Sequence, residues 1–225
     1  MRGPIRLSPS DLTFLWSDCK RCFYLKVVYG SGRPAAAMPA IFMRIDRLMK
    51  QHFLGLSTAD ISPSLPAGRV QSADGAVQSQ PVVLPGRSSA LYIRGKYDAV
   101  LEFADGGFGV VDFKTTEPRP EHAAFYGRQL HAYVYALEHA SAGKLSLKPV
   151  TSLGLLSVTP DAMERRDDRV SYLGRAHWQA VAIDRPGFLG FLDEVAALTD
   201  GETPPPADPD CEWCRYRDQA RISGW

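Results

Sequence analysis

Hydrophobic positions change period several times along the 225-residue chain, and each change predicts an element. Ser8-Pro9-Ser10-Asp11 is a helix start: a hydroxyl N-cap, a proline in the first turn and an acid three residues on. Leu12, Leu15 and Trp16 put an apolar stripe on this helix, which runs into Cys19 and Cys22 before Gly30–Pro34 breaks it. Ile41, Ile45, Leu48 and Met49 recur at helical spacing and predict a second helix over about 40–54. Residues 55–90, rich in Ser, Pro and Gly, predict a long loop with one or two short strands. Strands over about 91–103 and 108–115 flank the turn Ala104–Gly107. Pro118 and Pro120 lead into a helix over about 121–139 with Leu130, Val134 and Leu137 as its core stripe. A strand at about 151–158, a hairpin within 169–183 and a helix over about 186–198 follow. The proline-rich stretch 201–210 is a stiff linker to Cys211 and Cys214. Helices, a run of strands, a crossing helix, further strands and a closing helix predict an α/β fold, a mixed central sheet flanked by helices.

Composition leaves that picture standing. Apolar residues make up 45% and charged residues 23%, as in ordinary globular proteins, and the length suits a single domain. The formal charge of +1 hides an asymmetry: residues 1–50 carry nine Lys and Arg against Asp11, Asp18 and Asp46. Such a surface can hold phosphates, or it can be a solvated helix face. No apolar run approaches the roughly 18 residues of a membrane span, and the first residues lack the apolar core of a signal peptide. A cytoplasmic protein is expected, with no membrane partner and with cysteines that serve as metal ligands or inert core residues sooner than disulfides.

The strand pair carries candidate chemistry. Side chains alternate along a strand, so Asp112 and Lys114 share one face while Val111 and Phe113 take the other. Asp98 on the neighbouring strand supplies a second carboxylate, and the Phe113 carbonyl can complete a shell of hard oxygens suited to Mg²⁺ or Mn²⁺. A polar hairpin with a surface Asp–Lys pair would look much the same. Two details favour a site: Val110 and Val111 make Asp112 end a core-like strand, and Gly95 permits close backbone approach beside Asp98. Gln129 and Tyr133 then form an i,i+4 pair on one face of the next helix.

Gly95-x-x-Asp98, Asp112-x-Lys114 and Gln129-x-x-x-Tyr133 together resemble the signature of the PD-(D/E)XK nucleases. The likeness is best to their branch containing RecB/AddB nuclease domains and the CRISPR-associated exonucleases of the fourth Cas group. The resemblance implies a restriction-endonuclease-like fold with Asp98 and Asp112 as metal-binding acids and Lys114 as the catalytic lysine. It implies that Gln129 and Tyr133 help position lysine, water and DNA, and that phosphodiester bonds are hydrolysed with Mg²⁺ or Mn²⁺. The branch's further metal-binding histidine, from an early helix, falls on Asp46, a departure, with His52 nearly two turns further on. The implied substrate is DNA, single-stranded or at ends, cut exonucleolytically in repair, recombination or CRISPR adaptation. The protein would act alone or beside a helicase or a CRISPR integrase. The alternative, a weak or inactive nucleic-acid-binding scaffold of the same fold, sits poorly with a complete acid–acid–lysine set. The nuclease core is expected over about 40–200.

Cys19-x-x-Cys22 and Cys211-x-x-Cys214 each present two thiolates; together they saturate one metal centre, or they form two separate local pairs. In the branch just named, a [4Fe–4S] cluster ties the first helix to the C-terminal tail, usually through one early and three late cysteines. Two and two suits Zn²⁺ equally well by ligand count, but the resemblance favours [4Fe–4S], with structural Zn²⁺ as the alternative. On this reading residues 1–35 and 201–225 form a structural metal subdomain, with Trp213 as its shield and Lys20, Arg21 and Lys26 lining a DNA path. Phe14, Trp16, Phe23, Tyr24 and Tyr29 among these cations can stack on bases or pack the first helix, and Phe125 and Tyr126 are candidates for substrate contact.

Overall fold

The stretch expected as one strand over about 91–103 is broken at Tyr97 and Asp98, and the break joins two sheets. The computed structural model describes residues 3–34 and 38–222. β1 (Ile5–Leu7), α1 (Pro9–Asp18), α2 (Lys20–Tyr29), α3 (Ala40–Phe53) and α4 (Thr58–Ile61) come first. β2 (Arg69–Ala73), β3 (Ala76–Gln78), β4 (Val82–Val83), β5 (Ala90–Lys96), β6 (Ala99–Glu102) and β7 (Phe108–Lys114) follow. α5 (Pro120–Glu138), β8 (Val150–Arg166), β9 (Arg169–Ala180), α6 (Arg185–Asp200) and α7 (Glu212–Ile222) complete the chain.

Both sheets are mixed. In the first, β5 pairs in parallel with β1 and antiparallel with β3 and β4. The second runs β2-β6-β7-β8-β9, with β7 and β8 parallel and the other pairs antiparallel. α5 is the crossover between the parallel strands β7 and β8, as such a pairing requires. The fold is therefore the expected mixed α/β architecture, with the N- and C-terminal segments joined at their cysteines.

Alternation along β7 divides the core. Val110 joins the larger cluster with Leu130, Val134 and Leu137 of α5, while Val111 and Phe113 belong to a second cluster with Met49 of α3. β7 is thus sandwiched, and its one buried acid, Asp112, is flanked along the strand by the apolar Val111 and Phe113. Gly95 does allow a close approach, but by another element: a Cβ there would lie 2.6 Å from Cδ of Pro9, so the glycine seats the start of α1.

Several elements differ from expectation. The first helix divides at Cys19, whose extended backbone (φ −160°, ψ 114°) caps α2. β8 continues to Arg166 and pairs with β9, so the hairpin turns at Asp167 and Asp168 and not within 169–183. On α3 only Met49 is buried; Ile41 and Leu48 are 54% and 55% exposed. Among the described residues, no helix is long and apolar enough to cross a membrane.

Candidate active site and cysteine centre

Asp112 sits at the end of an apolar strand with each oxygen already claimed. Oδ1 accepts a hydrogen bond from Gln129 Nε2 at 2.9 Å, and Oδ2 is ion-paired with Lys114. Gln129 Nε2 also lies 3.2 Å from Tyr133 Oη, so the i,i+4 pair of α5 forms a buried backing to the acid. Burial pushes the Asp112 carboxyl up to about 7; Lys114 works against this and the Asp98 charge works with it. Burial, then the charge of Asp112, also raises the Tyr133 phenol and keeps it neutral, accepting from Gln129. The Lys114 ammonium stands 4.0 Å from the centroid of the Tyr126 ring, which leaves Tyr126 beneath the lysine.

Asp98 lies at the break between β5 and β6. Its Oδ2 accepts the backbone N–H of Phe113 at 2.8 Å, which ties the break to β7 directly beside Asp112. In an extended strand a residue's N–H and C=O point to the same side, so the Phe113 carbonyl shares the edge facing Asp98. Two carboxylates and a carbonyl from adjacent segments make a hard-oxygen set that fits Mg²⁺ or Mn²⁺. The wholly buried Asp112 Oδ2 has the Lys114 ammonium as its one partner among the described residues, so a metal bound there would share or replace that contact.

Lys50 was not singled out by the sequence beyond its charge. Its ammonium reaches Asp98 Oδ1 at 2.7 Å and Asp46 Oδ2 at 2.8 Å. Burial opposes charging of Lys50, but Asp98 and Asp46 overcome it and raise the group above its ordinary value. Asp46 therefore meets Asp98 through a lysine. His52 is exposed and tilted against Phe53, one residue on. A cavity of about 650 Å³ opens over this floor, walled by Met38, Phe42 and Met43 and bordered by Thr115 and Thr116.

The four cysteines converge although 189 to 195 residues separate the bonded partners. Cys19 caps α2 with Cys22 three positions on, and Cys211 stands before α7 with Cys214 in its first turn, so each pair projects from a helix start. The Sγ atoms of Cys19 and Cys214, and of Cys22 and Cys211, are 3.7 Å apart, and those of Cys22 and Cys214 3.6 Å. Among the described residues they are the one group of three or more such ligands whose donor atoms all lie within 4.8 Å. Arg33 donates to Cys211 Sγ at 3.1 Å and Arg217 approaches Cys22 Sγ at 3.9 Å, cations suited to offset thiolate charge. Burial pushes the Cys22 and Cys214 thiols up, while backbone N–H groups of Asp208 and Cys22 outweigh burial at Cys19 and bring it to about 7.

The N-terminal cations are largely engaged within the fold. Lys26 pairs with Asp11 at 2.6 Å, Arg21 with Asp218 at 3.5 Å, and Arg33 with Asp18. Lys20 stacks on Trp16, 3.2 Å from the ring centroid, and burial aided by Arg128 lowers its ammonium to about 8. Arg2 lies outside the described residues. Of the aromatic cluster, Trp16, Phe23 and Tyr24 are buried, whereas Phe14 and Tyr29 are exposed.

Comparison with known proteins adds one family. The profile described as the PD-(D/E)XK nuclease superfamily matches residues 65–219, more than half of the chain. No curated protein sequence matches. A solved structure described as "Crystal structure of SSO0001" is similar at 16% identity and a TM-score of 0.46, covering 91% of this chain and 80% of that one.

Proposed function

We propose a metal-dependent deoxyribonuclease, on the premise that the chain belongs to the PD-(D/E)XK nuclease superfamily. The observation that carries the reading is the buried Asp112, gripped by Lys114 in front and Gln129 behind, beside Asp98 on the next segment. Asp98, Asp112 and the Phe113 carbonyl would hold Mg²⁺ or Mn²⁺, which when bound neutralises charge on the phosphate and leaving oxygen. Lys114, held by its pairing with Asp112, orients the attacking water by donating to its oxygen, and accepts the water's proton only after releasing its own to solvent. Gln129 fixes the carboxylate, and Tyr133 fixes Gln129.

Single-stranded DNA or a frayed end is the proposed substrate. The cleft beside Asp98 and Lys114 has an apolar wall, with Phe42 45% and Met43 53% exposed, on which an unpaired base can stack. Arg44 and Arg47, exposed on the same helix, can meet flanking phosphates. The RecB/AddB-like and CRISPR-associated branch, exonucleolytic action and a helicase or integrase partner rest on the resemblance of the motifs.

At the cysteine centre the sulfur separations support one tetrahedral ion. Four sulfurs about 2.3 Å from Zn²⁺ stand about 3.8 Å apart, close to the 3.6–3.7 Å of three of the six pairs here, the others lying within 4.8 Å. A [4Fe–4S] cube, the cofactor the resemblance implies, places iron and sulfide between its thiolates and needs them farther apart. Structural Zn²⁺ is the better fit.

Incubation of labelled single- and double-stranded DNA with the protein tests the activity. Degradation of the single strand with Mn²⁺ or Mg²⁺, and none with chelator, is expected. No cleavage of either DNA under any divalent metal would refute the reading.

A further inference from the structure

Lys50 is one cation shared by carboxylates from three separate segments. Its ammonium lies 2.7 Å from Asp98 Oδ1, 2.8 Å from Asp46 Oδ2 and 3.5 Å from Asp74 Oδ1, and its side chain is 13% exposed. A surface i,i+4 Asp–Lys pair needs neither burial nor further company. Here the lysine spans from α3 to the break before β6 and to the turn between β2 and β3. Asp74 is built into that turn: its backbone is left-handed at φ 53°, its N–H donates to the Asp98 carbonyl at 2.9 Å, and its Oδ2 pairs with Lys96 at 3.0 Å.

Metal access to these acids follows from the same contacts. Asp98 has Lys50 on Oδ1 and the Phe113 N–H on Oδ2, so both oxygens are oriented before any ion arrives. Asp46 and Asp74 each reach Asp98 Oδ1 through Lys50, and an ion bridging the three would have to displace the ammonium. Two-metal phosphodiesterases place two cations about 4 Å apart to clamp the attacking and leaving oxygens. A lysine ammonium supplies a compact point charge on a flexible stem and can occupy one of those places.

We infer that Lys50 is a positioning residue, a tethered cation that stands in for a second divalent ion, so that this site works with one exchangeable metal. Asp46 then anchors Lys50 and is not itself a metal ligand. The inference rests on the nuclease reading above.

Counting bound Mn²⁺ separates the two. The count is made by electron paramagnetic resonance on protein whose cysteine centre is already loaded, for the parent, Asp112→Asn, Lys50→Ala and Lys50→Met, which keeps the stem. The parent should bind one Mn²⁺ and Asp112→Asn none. Both Lys50 variants should bind two, the second with a Kd within about tenfold of the first. Lys50 variants that still bind one ion, or bind none, overturn the inference while leaving the nuclease reading intact. A parent that binds two overturns it whatever the variants do, including any that fail to fold. A parent that binds no Mn²⁺, or Asp112→Asn binding as the parent does, removes the nuclease reading and the inference with it.

Discussion

The acid site and the cysteine centre are both clusters of would-be metal ligands, yet they are held in opposite ways. At the cysteines, donor atoms from the two ends of the chain already lie within 4.8 Å of one another, and the nearest arginines approach sulfurs from outside the cluster. At the acids, lysines stand inside the cluster: Lys114 on Asp112, and Lys50 between Asp98 and Asp46. Only the cysteines are gathered so that one ion would complete them and lock the termini together. Asp98 is oriented and, with Lys114, faces a cavity that a phosphate can enter. Clustering alone does not distinguish a structural site from a working one; the position of the protein's own cations does.

The comparison breaks most sharply at the cysteines. Cys214→Ala should lower the melting temperature by on the order of 10 °C, since metal binding is coupled to holding α2 and α7 together. The cleavage rate per folded molecule should fall less than about tenfold. Loss of cleavage without loss of stability would make the centre catalytic. Metal analysis of the same protein should find one zinc per chain and no colour; brown protein with about four irons would overturn the single-ion reading.

Asp112→Asn should do the reverse. The Asp112 carboxyl stands near 7 in the fold against an ordinary 3.8, so its contribution to stability is full below about pH 4 and is lost as the pH rises through 7. Metal-free parent protein should therefore lose stability over that range. Asp112→Asn should flatten the profile and melt at or above the parent at pH 8, with no cleavage. Equal pH slopes for the two proteins would mean that Asp112 is not strained by burial. The smallest effect belongs to the cleft wall. Phe42→Ala should raise KM for single-stranded DNA about five- to tenfold, with the melting temperature nearly unchanged for so exposed a ring. An unchanged KM would take the base off that wall.

Much of the catalytic candidate set was legible because it is local. Period-two alternation puts Asp112 with Lys114, and helical spacing puts Gln129 with Tyr133, so each pair is readable within one element. Lys50 was not legible, since from Asp46 it reads as an ordinary helix pair; its partners Asp74 and Asp98 depend on two turns between strands. The strand break at Tyr97–Asp98 escaped for a related reason. Leu91 to Phe103 is uniformly strand-like in composition, and only the second sheet explains why the chain bends there. The apolar positions of α3 predicted a helix correctly but not its setting, because exposed apolar residues such as Ile41 and Leu48 leave the same period as burial in a core.

The central claim is that Lys114, held against Asp112, serves the attacking water. Its most direct test is the single-turnover rate of single-stranded DNA cleavage by Lys114→Ala against the parent at saturating Mn²⁺. A fall of roughly 10²- to 10⁴-fold with Mn²⁺ binding and melting temperature retained is expected. Rates within about threefold of each other would contradict it.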